Sequence, residues 1–257
     1  MKNKRAKIIG LYSGQLIFLL SVLGLAEYAV KAGKINKMFL AAPSDVAIEF
    51  YNMIAQNVLW PHMIITVEEF FAGYAVAVAA GVLLGVVFVA FPWIDQFFTP
   101  FFSAVMAVPK VAVIPLLIIW FGIGLLSKMV LVFLFTFFVI FFNTRNGAKQ
   151  TNINFLKVAK VFGATKSQTV FKLLIPAAMP SIITGLRITA TTGLTGVIFA
   201  EITASKAGLG YLLQESTALY NTPRMFVVII VVTILSQFFV AFVNFLEKNV
   251  FLKWQKL

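Results

Sequence analysis

A handful of residues in this sequence carry chemistry beyond packing, and most lie within or beside a long apolar run. Lys110 follows Pro109 in VMAVPKVAVIPLL, and Arg187 and Glu201 lie in the threonine- and glycine-rich stretch TGLRITATTGLTGVIFAE. A charge inside such a run is costly in a bilayer and faces protein or water where it occurs. Two roles fit Lys110: drawing in an anionic solute, or reaching the interface from a helix broken at proline. Arg187 fits an inner gate, a structural ion pair, or a side chain reaching the headgroups. Thr189, Thr192 and Gly196 fall close to one helical face, because three to four residues complete a turn. Thr191 and Thr195 lie beside them. Their hydroxyls suit either the weakly polar wall of a solute path or helix packing with hydroxyls bonded to their own backbone.

The residue types that usually perform catalysis are poorly placed. His62 is the single histidine and follows Pro61, a position that fits a membrane interface better than a metal site. Glu68 and Glu69 are adjacent and diverge on a helix, so they form no carboxylate pair. No G-x4-GK[ST] phosphate loop is present, since GLGYLL and FGIGLL lack its lysine. The absence of cysteine excludes disulfides and thiolate metal sites. The sequence therefore predicts no catalytic residue, no metal site and no cofactor bound by this chain.

The elements that must position these residues are apolar helices. The 257 residues are 61% hydrophobic and only 12% charged, against about 25% charged in a soluble domain. Apolar runs long enough to cross a bilayer recur along the chain, which predicts an all-α membrane protein. The formal charge of +12 then marks cytoplasmic loops and not a nucleic-acid site. About six spans are expected, near residues 9–30, 62–91, 98–121, 126–143, 181–203 and 224–246. The first has a basic start like a signal peptide, but its apolar run is long and lacks a clean A-x-A site, so it reads as a retained span. Ser44 or Asp45 can cap a short helix before the second span. Gly73, Ala77, Gly81 and Gly85 lie four apart in the second span and permit close helix approach. PWID reads as a turn, and Pro100, Pro109 and Pro115 bend the third span. The whole chain reads as one transmembrane domain, with a core near residues 60–246.

Lysines and arginines set the orientation. With both ends inside, the inner side holds Lys2, Lys4, Arg5, Lys7, the basic residues from Arg145 to Lys172, and Lys248, Lys253 and Lys256. The outer side holds Lys31, Lys34, Lys37, Lys128, Lys206 and Arg224. Between the expected fourth and fifth spans lies a polar island, near residues 150–176, that carries Lys157, Lys160, Lys166 and Lys172 and no acid between Phe155 and Pro180. Its periodicity predicts two short helices joined at Gly163-Ala164, the second capped by Ser167 and ended by Pro176. Phe155, Ala159, Phe162 and Ala164 mark its apolar side. Gly163 suits a tight bend or a close approach by another chain.

The island resembles the cytoplasmic loop of binding-protein-dependent ABC importer permeases, whose pattern is E-A-A-x3-G followed by I-x-L-P. This chain has Lys157-Val158-Ala159, Gly163-Ala164 and Leu173-Leu174-Ile175-Pro176, departing from the pattern at Lys157 and Val158. IPLLIIWFGIGLLSK, LIPAAMPSIITGLRI, VIFAEITASKAGLGYLL and FLAAPSDV are similar to the nitrate, aliphatic sulfonate and taurine branch, so the resemblance runs from about Phe39 to Trp254. It implies a permease subunit of an ATP-driven importer in the bacterial cell membrane, with both termini cytoplasmic. The island, through Lys157, Ala159, Gly163, Ala164 and Pro176, becomes a coupling helix that docks on a cytoplasmic ATPase. Glu201 becomes a structural acid at the outer mouth. Lys110, Arg187, Thr189, Thr192, Gly196 and Glu201 are the path candidates. The implied partners are two ATPase subunits holding ATP and Mg, a second permease copy (a homodimer) and an external solute-binding protein; no nucleic acid is implied. The implied cargo is a small anion such as nitrate, a sulfonate or taurine. The alternatives are a thiamine-precursor-like or other small heterocycle, or a stand-alone secondary transporter or membrane scaffold.

Overall fold

The computed structural model describes the backbone of residues 2–251 and the side chains of residues 11–249. The side chains of Lys2, Lys4, Arg5 and Lys7, and the residues Lys253, Trp254 and Lys256, lie outside the described part. The described residues form helices: α1 (Lys2–Lys31), α2 (Pro43–Ala55), α3 (Leu59–Ala90), α4 (Pro92–Ala107), α5 (Ile114–Phe121), α6 (Leu125–Lys149), α7 (Ile153–Val161), α8 (Lys166–Thr169), α9 (Ile175–Thr203), α10 (Leu209–Ala218) and α11 (Thr222–Leu246). A tight 3-10 turn, Lys110–Val113, precedes α5, and wide π-turns occupy Val170–Leu174 and Glu247–Phe251. The chain divides into two compact units, residues 1–61 with 212–231 and residues 62–211 with 232–257.

In the first unit, α1 and α2 are joined through Glu27. Its carboxylate pairs with Lys31 at 2.6 Å and accepts from the Ser44 backbone N–H at 3.0 Å and the Ser44 hydroxyl at 2.7 Å. Ser44 is thus committed to α1, and α2 starts at Ala42 without a side-chain cap, with Pro43 in its first turn. The expected Ser44 or Asp45 cap is not formed. Arg224 at the start of α11 pairs with Glu49 of α2 at 2.8 Å.

In the second unit, α6 is the central helix. The small-residue stripe of α3 lies on it: a Cβ at Gly73 would meet the Met129 carbonyl at 2.6 Å, and one at Gly85 would meet Thr144 Cβ at 2.7 Å. Small residues of α9 meet the same helix from another side. A Cβ on Gly193 would meet Thr136 Oγ1 at 2.8 Å, and one on Gly196 would meet the Phe135 ring at 3.0 Å. Larger residues there would push the helices apart, which is how spans pack without a hydrophobic driving force between them. Phe70 fills the centre, stacked on Tyr74 and Phe239 with ring centroids 4.8 Å apart in each pair. It is buried with Ile183, Leu194 and Val197 of α9.

Among the described residues five helices are long and apolar enough to cross a membrane, or six if one bent pair counts as a span. That pair, Pro92–Ala107 with Lys110–Phe121, turns through 83°. It lies between the second and third of the five long helices, so the polar island follows the third long helix and becomes the segment after a fourth span only if the bent pair is counted. The cause of the break is Pro109. Val108 before it is extended (ψ 131°), as a pre-proline residue is driven to be. The short helix that follows takes Pro115 in its first turn, where its missing N–H has no helical partner to lose. PWID is not a turn. Pro92 opens α4 and Asp95 lies in its first turn.

The second half of the island also differs from the expectation. Thr165, not Ser167, caps α8: its hydroxyl accepts from the Gln168 N–H at 3.2 Å while Gln168 returns a bond to the Thr165 N–H at 2.9 Å. Pro176 does not end the helix. The helical run continues from Lys166 to Thr203, passing Pro176 through the π-turn at 170–174. A π-turn bonds five residues back, which gives the chain another way to carry a residue that lacks an N–H past a full turn.

Candidate functional site

The polar residues of the second unit gather at two poles. α3 has 32 residues and is therefore about 48 Å long. One pole is where α3 and α6 start and α9 ends; the other is where α3 and α6 end and α9 starts.

At the first pole Glu201 is fully buried. It accepts from the Thr66 hydroxyl at 2.7 Å and from the Gly210 backbone N–H at 2.6 Å. Thr66 accepts in turn from the Leu209 N–H at 2.8 Å, and His62 Nδ1 accepts from the Gly208 N–H at 3.0 Å. Three successive amides at the start of α10 are thus satisfied by side chains. Gly208 has φ +111°, and a Cβ there would overlap the Glu201 carboxylate. His62 also stacks on Tyr211. Beside them Lys128 and Glu69, both buried, form an ion pair at 2.5 Å, and Lys128 also donates to Ser205 at 2.8 Å. Lys128, counted above as an outer loop charge, is internal. Glu68 is exposed while Glu69 is buried.

The second pole holds the island. α7 starts at Asn152, whose side chain accepts from the Asn154 N–H at 2.9 Å. At its other end the Gly163 N–H donates to the Lys160 carbonyl at 3.1 Å and the Ala164 N–H to the Ala159 carbonyl at 2.9 Å. These two bonds are a Schellman motif. It needs a left-handed residue, and Gly163 has φ +70° with open space where a Cβ would stand. The glycine is therefore required for the helix stop, not for a close approach within this chain. Leu156 packs with Ala148, Leu174 and Ala178, and Ala159 is half-buried. The apolar side expected from Phe155 and Phe162 points outward. Phe162 and Val161 are 85% and 84% exposed, and Phe155 and Val158 are exposed too. Lys157, Lys160, Lys166 and Lys172 belong to the same segment; among the described residues none of them forms an ion pair, and Lys166 lies over the Phe91 ring at 5.0 Å.

Asp95 lies at this pole and was not singled out in the sequence, where it stood in a supposed turn. It is buried and is gripped by Arg145 through both oxygens, by Lys149 at 2.5 Å and by the Thr99 hydroxyl at 2.9 Å. The helical start of PWID, with proline at its first position, was the available signal.

The path candidates are dispersed. Thr189 is fully buried and its hydroxyl donates to the Gly185 carbonyl at 2.8 Å. Gly196 is buried against Phe135. Thr192 is half-buried, with Thr195 exposed next to it. Arg187 bonds Asn244 at 2.7 Å and pairs with Glu247 at 2.6 Å. Lys110 donates to the Met106 carbonyl at 3.0 Å, back across the break in its own element.

Known proteins are similar to this chain in sequence and in fold. Residues 77–252 match the model of the family described as binding-protein-dependent transport system inner membrane component. The chain belongs to that family. It is the transmembrane permease component of an ABC-type importer for a small solute, and in this family ATP is hydrolysed on a separate ATPase subunit. Stand-alone transport and a scaffold role are thereby set aside. The permease is 28% identical over 223 residues to a putative aliphatic sulfonates transport permease of Bacillus subtilis, covering 87% of this chain and 80% of that one. It is 28% identical over 230 residues to a formylaminopyrimidine transport permease of Halalkalibacterium halodurans, covering 89% and 91%. It shares 28% identity over 216 residues with a riboflavin transport permease of Chloroflexus aurantiacus, covering 84% and 80%. Its fold is similar to a chain of the MetNI methionine ABC transporter in an inward-facing conformation, with a TM-score of 0.63, 22% identity, and 77% of this chain and 98% of that one covered.

Proposed function

We propose that α7 and its flanking turns, residues 150–176, form the cytoplasmic coupling segment of this permease, with Lys157, Ala159, Gly163, Ala164 and Pro176 shaping it. The observation that carries this reading is the pair Val161 and Phe162, 84% and 85% exposed at the tip of a helix capped at both ends. An exposed apolar tip is a poor surface for water and a good one for a protein groove. A rigid, short helix can transmit a push to α6 and α9, whose ends it joins. A Val161→Cys variant should cross-link to a cysteine placed in the docking groove of the co-expressed ATPase. Absence of the cross-link in an active complex would refute the assignment.

On this reading the α7 pole is cytoplasmic, and both termini are on the same side, in a bacterial cell membrane. The charge arrangement supports it. Basic residues cluster from Arg145 to Lys172, and an excess of them marks the cytoplasmic side. The whole chain acts as one permease domain with its core at about 60–246, works as one of two copies, and assembles with two ATPase subunits and an external solute-binding protein. Lys110, Arg187, Thr189, Thr192, Gly196 and Glu201 remain the candidates around the path. Among them Thr192 offers a hydroxyl that is neither sealed in the chain nor held in an ion pair.

The cargo we favour is a small anion such as nitrate, a sulfonate or taurine, supported by the aliphatic sulfonate and taurine permeases among the relatives. A small heterocycle is the second reading, favoured by the formylaminopyrimidine and riboflavin permeases at equal identity. Calorimetric screening of the cognate binding protein against both sets decides between them.

A further inference from the structure

The last turn of α6 is held from two sides just before the chain turns into α7. On one side Asp95, from the first turn of α4, grips Arg145 and Lys149. On the other, Gly147 is so close to α9 that a Cβ there would lie 2.5 Å from Ser181 Cβ and 3.2 Å from Ala178 Cα. The three contacts fall within five successive residues of one helix, 145 to 149. Asp95 is buried, its two oxygens are both engaged, and the Arg145 side chain is only 14% exposed while that of Lys149 is 44% exposed. α4 is the first half of the broken span, whose second half begins after Pro109. At this turn α6 meets α9 by direct packing and meets α4 through the charge clamp; farther along α6 the broken span also packs directly, through Phe102 on Phe137 and Phe141 and through Ile114 and Leu117 beside Leu131.

We propose that Asp95 is a positioning residue for coupling: with Arg145 and Lys149 it ties the broken span α4–α5 to the turn that feeds α7, so that both move together. This inference rests on α7 being the coupling segment. A salt-linked joint suits the task, because a bidentate arginine pair fixes direction as well as distance. A two-state element biased at one site can carry a coupling of roughly 5–150-fold between sites, which sets the size of effect to look for.

The test uses the permease with its ATPase and binding protein in proteoliposomes, and reads solute taken up per ATP hydrolysed. In Asp95→Asn this ratio should fall about fivefold or more, with the ATPase still bound and hydrolysing. The reciprocal pair Asp95→Arg with Arg145→Asp should restore it, because Asp at 145 can pair with both Arg at 95 and Lys149 one turn on. An unchanged ratio in Asp95→Asn, or failure of an assembled reciprocal pair to recover any of the loss, overturns the proposal. If Asp95→Asn does not accumulate, Lys149→Gln removes only the half-exposed arm; a reduced ratio there supports the clamp and an unchanged one overturns it. The Val161→Cys cross-link is measured in the same samples. Its absence in the otherwise unaltered permease would mean that the docking assignment has failed, whereas its persistence with an unchanged ratio in Asp95→Asn would mean that the clamp alone has.

Discussion

Gly163 offers the sharpest test of how the coupling segment is built. Its φ is +70°, and nothing lies within 4 Å of the place a Cβ would occupy. Substitution therefore acts through the backbone alone. An L-residue in the left-handed region costs about 1–2 kcal/mol, and a β-branched one belongs at the upper end because its branch is least tolerated there. At about 2 kcal/mol the capped end of α7 is depopulated roughly 30-fold, since each 1.4 kcal/mol is tenfold. If the capped form is the one that docks, ATPase affinity weakens by up to the same factor. Gly163→Asn is the control, because asparagine enters the left-handed region several-fold more readily than other side chains. The assay is the affinity of purified ATPase for permease in nanodiscs, with the helical content and yield of each variant checked. Val should weaken binding strongly and Asn slightly. Equal damage by Asn and Val would refute the conformational argument and point to a partner backbone pressed against the glycine. Normal binding by Val would remove the cap from the mechanism.

Three further outcomes are expected. Glu201→Ala strands the Gly210 N–H in a buried site, at about 1–3 kcal/mol, while the Thr66 hydroxyl keeps the His62 carbonyl at 3.1 Å as an acceptor; thermal unfolding in detergent should shift down, and Glu201→Gln should shift less. In intact cells, single cysteines at Asn36 and Lys206 should react with an impermeant thiol reagent while those at Asn152 and Lys248 stay protected; Lys206 is chosen because it is exposed and Gly208 is enclosed. Thr192→Leu should lower uptake while leaving ATPase docking and fold stability near normal, and Thr192→Cys should react faster with small thiol reagents during turnover than at rest. An inert cysteine with normal uptake in the Leu variant would leave helix packing as the role of this position.

Much of the fold was legible because bilayer physics writes it into local sequence. A run of apolar residues without charge has few alternatives to a span, and small residues four apart in α3 announce a helix contact that the structure places on α6. Of the three prolines expected to bend the third span, only Pro109 marks the break; Pro100 lies inside α4 and Pro115 in the first turn of α5. The 83° turn depends on a pre-proline residue, a 3-10 turn and a restarted helix acting together. Pro176 misled for a related reason. Its missing N–H normally ends a helix, but a π-turn just upstream changed the register in which that bond was needed.

Charges were less legible, because their partners are remote in sequence. Lys110 drew attention through its proline, yet it bonds its own element at Met106. Lys128 read as an outer loop charge, yet it is buried on Glu69, 59 residues away. Asp95 and Arg145 are separated by 50 residues, and Glu201 and Thr66 by 135. No periodicity links such pairs; only the packing of α6 against its neighbours brings them together. A buried charge must find a partner when it leaves water, so each isolated charge in an apolar run predicts that some partner exists without naming it. The lysines of the α7 segment, none of them in an ion pair among the described residues, carry the complementary message. Charges that the fold does not neutralise internally lie at its edge, where the chain ends and another surface begins. The same pole spends Asp95 on an internal clamp and carries Lys157, Lys160, Lys166 and Lys172 in the segment with the exposed apolar tip. The clamp keeps α6 and α4 in step, and the lysines with Val161 and Phe162 face whatever moves them.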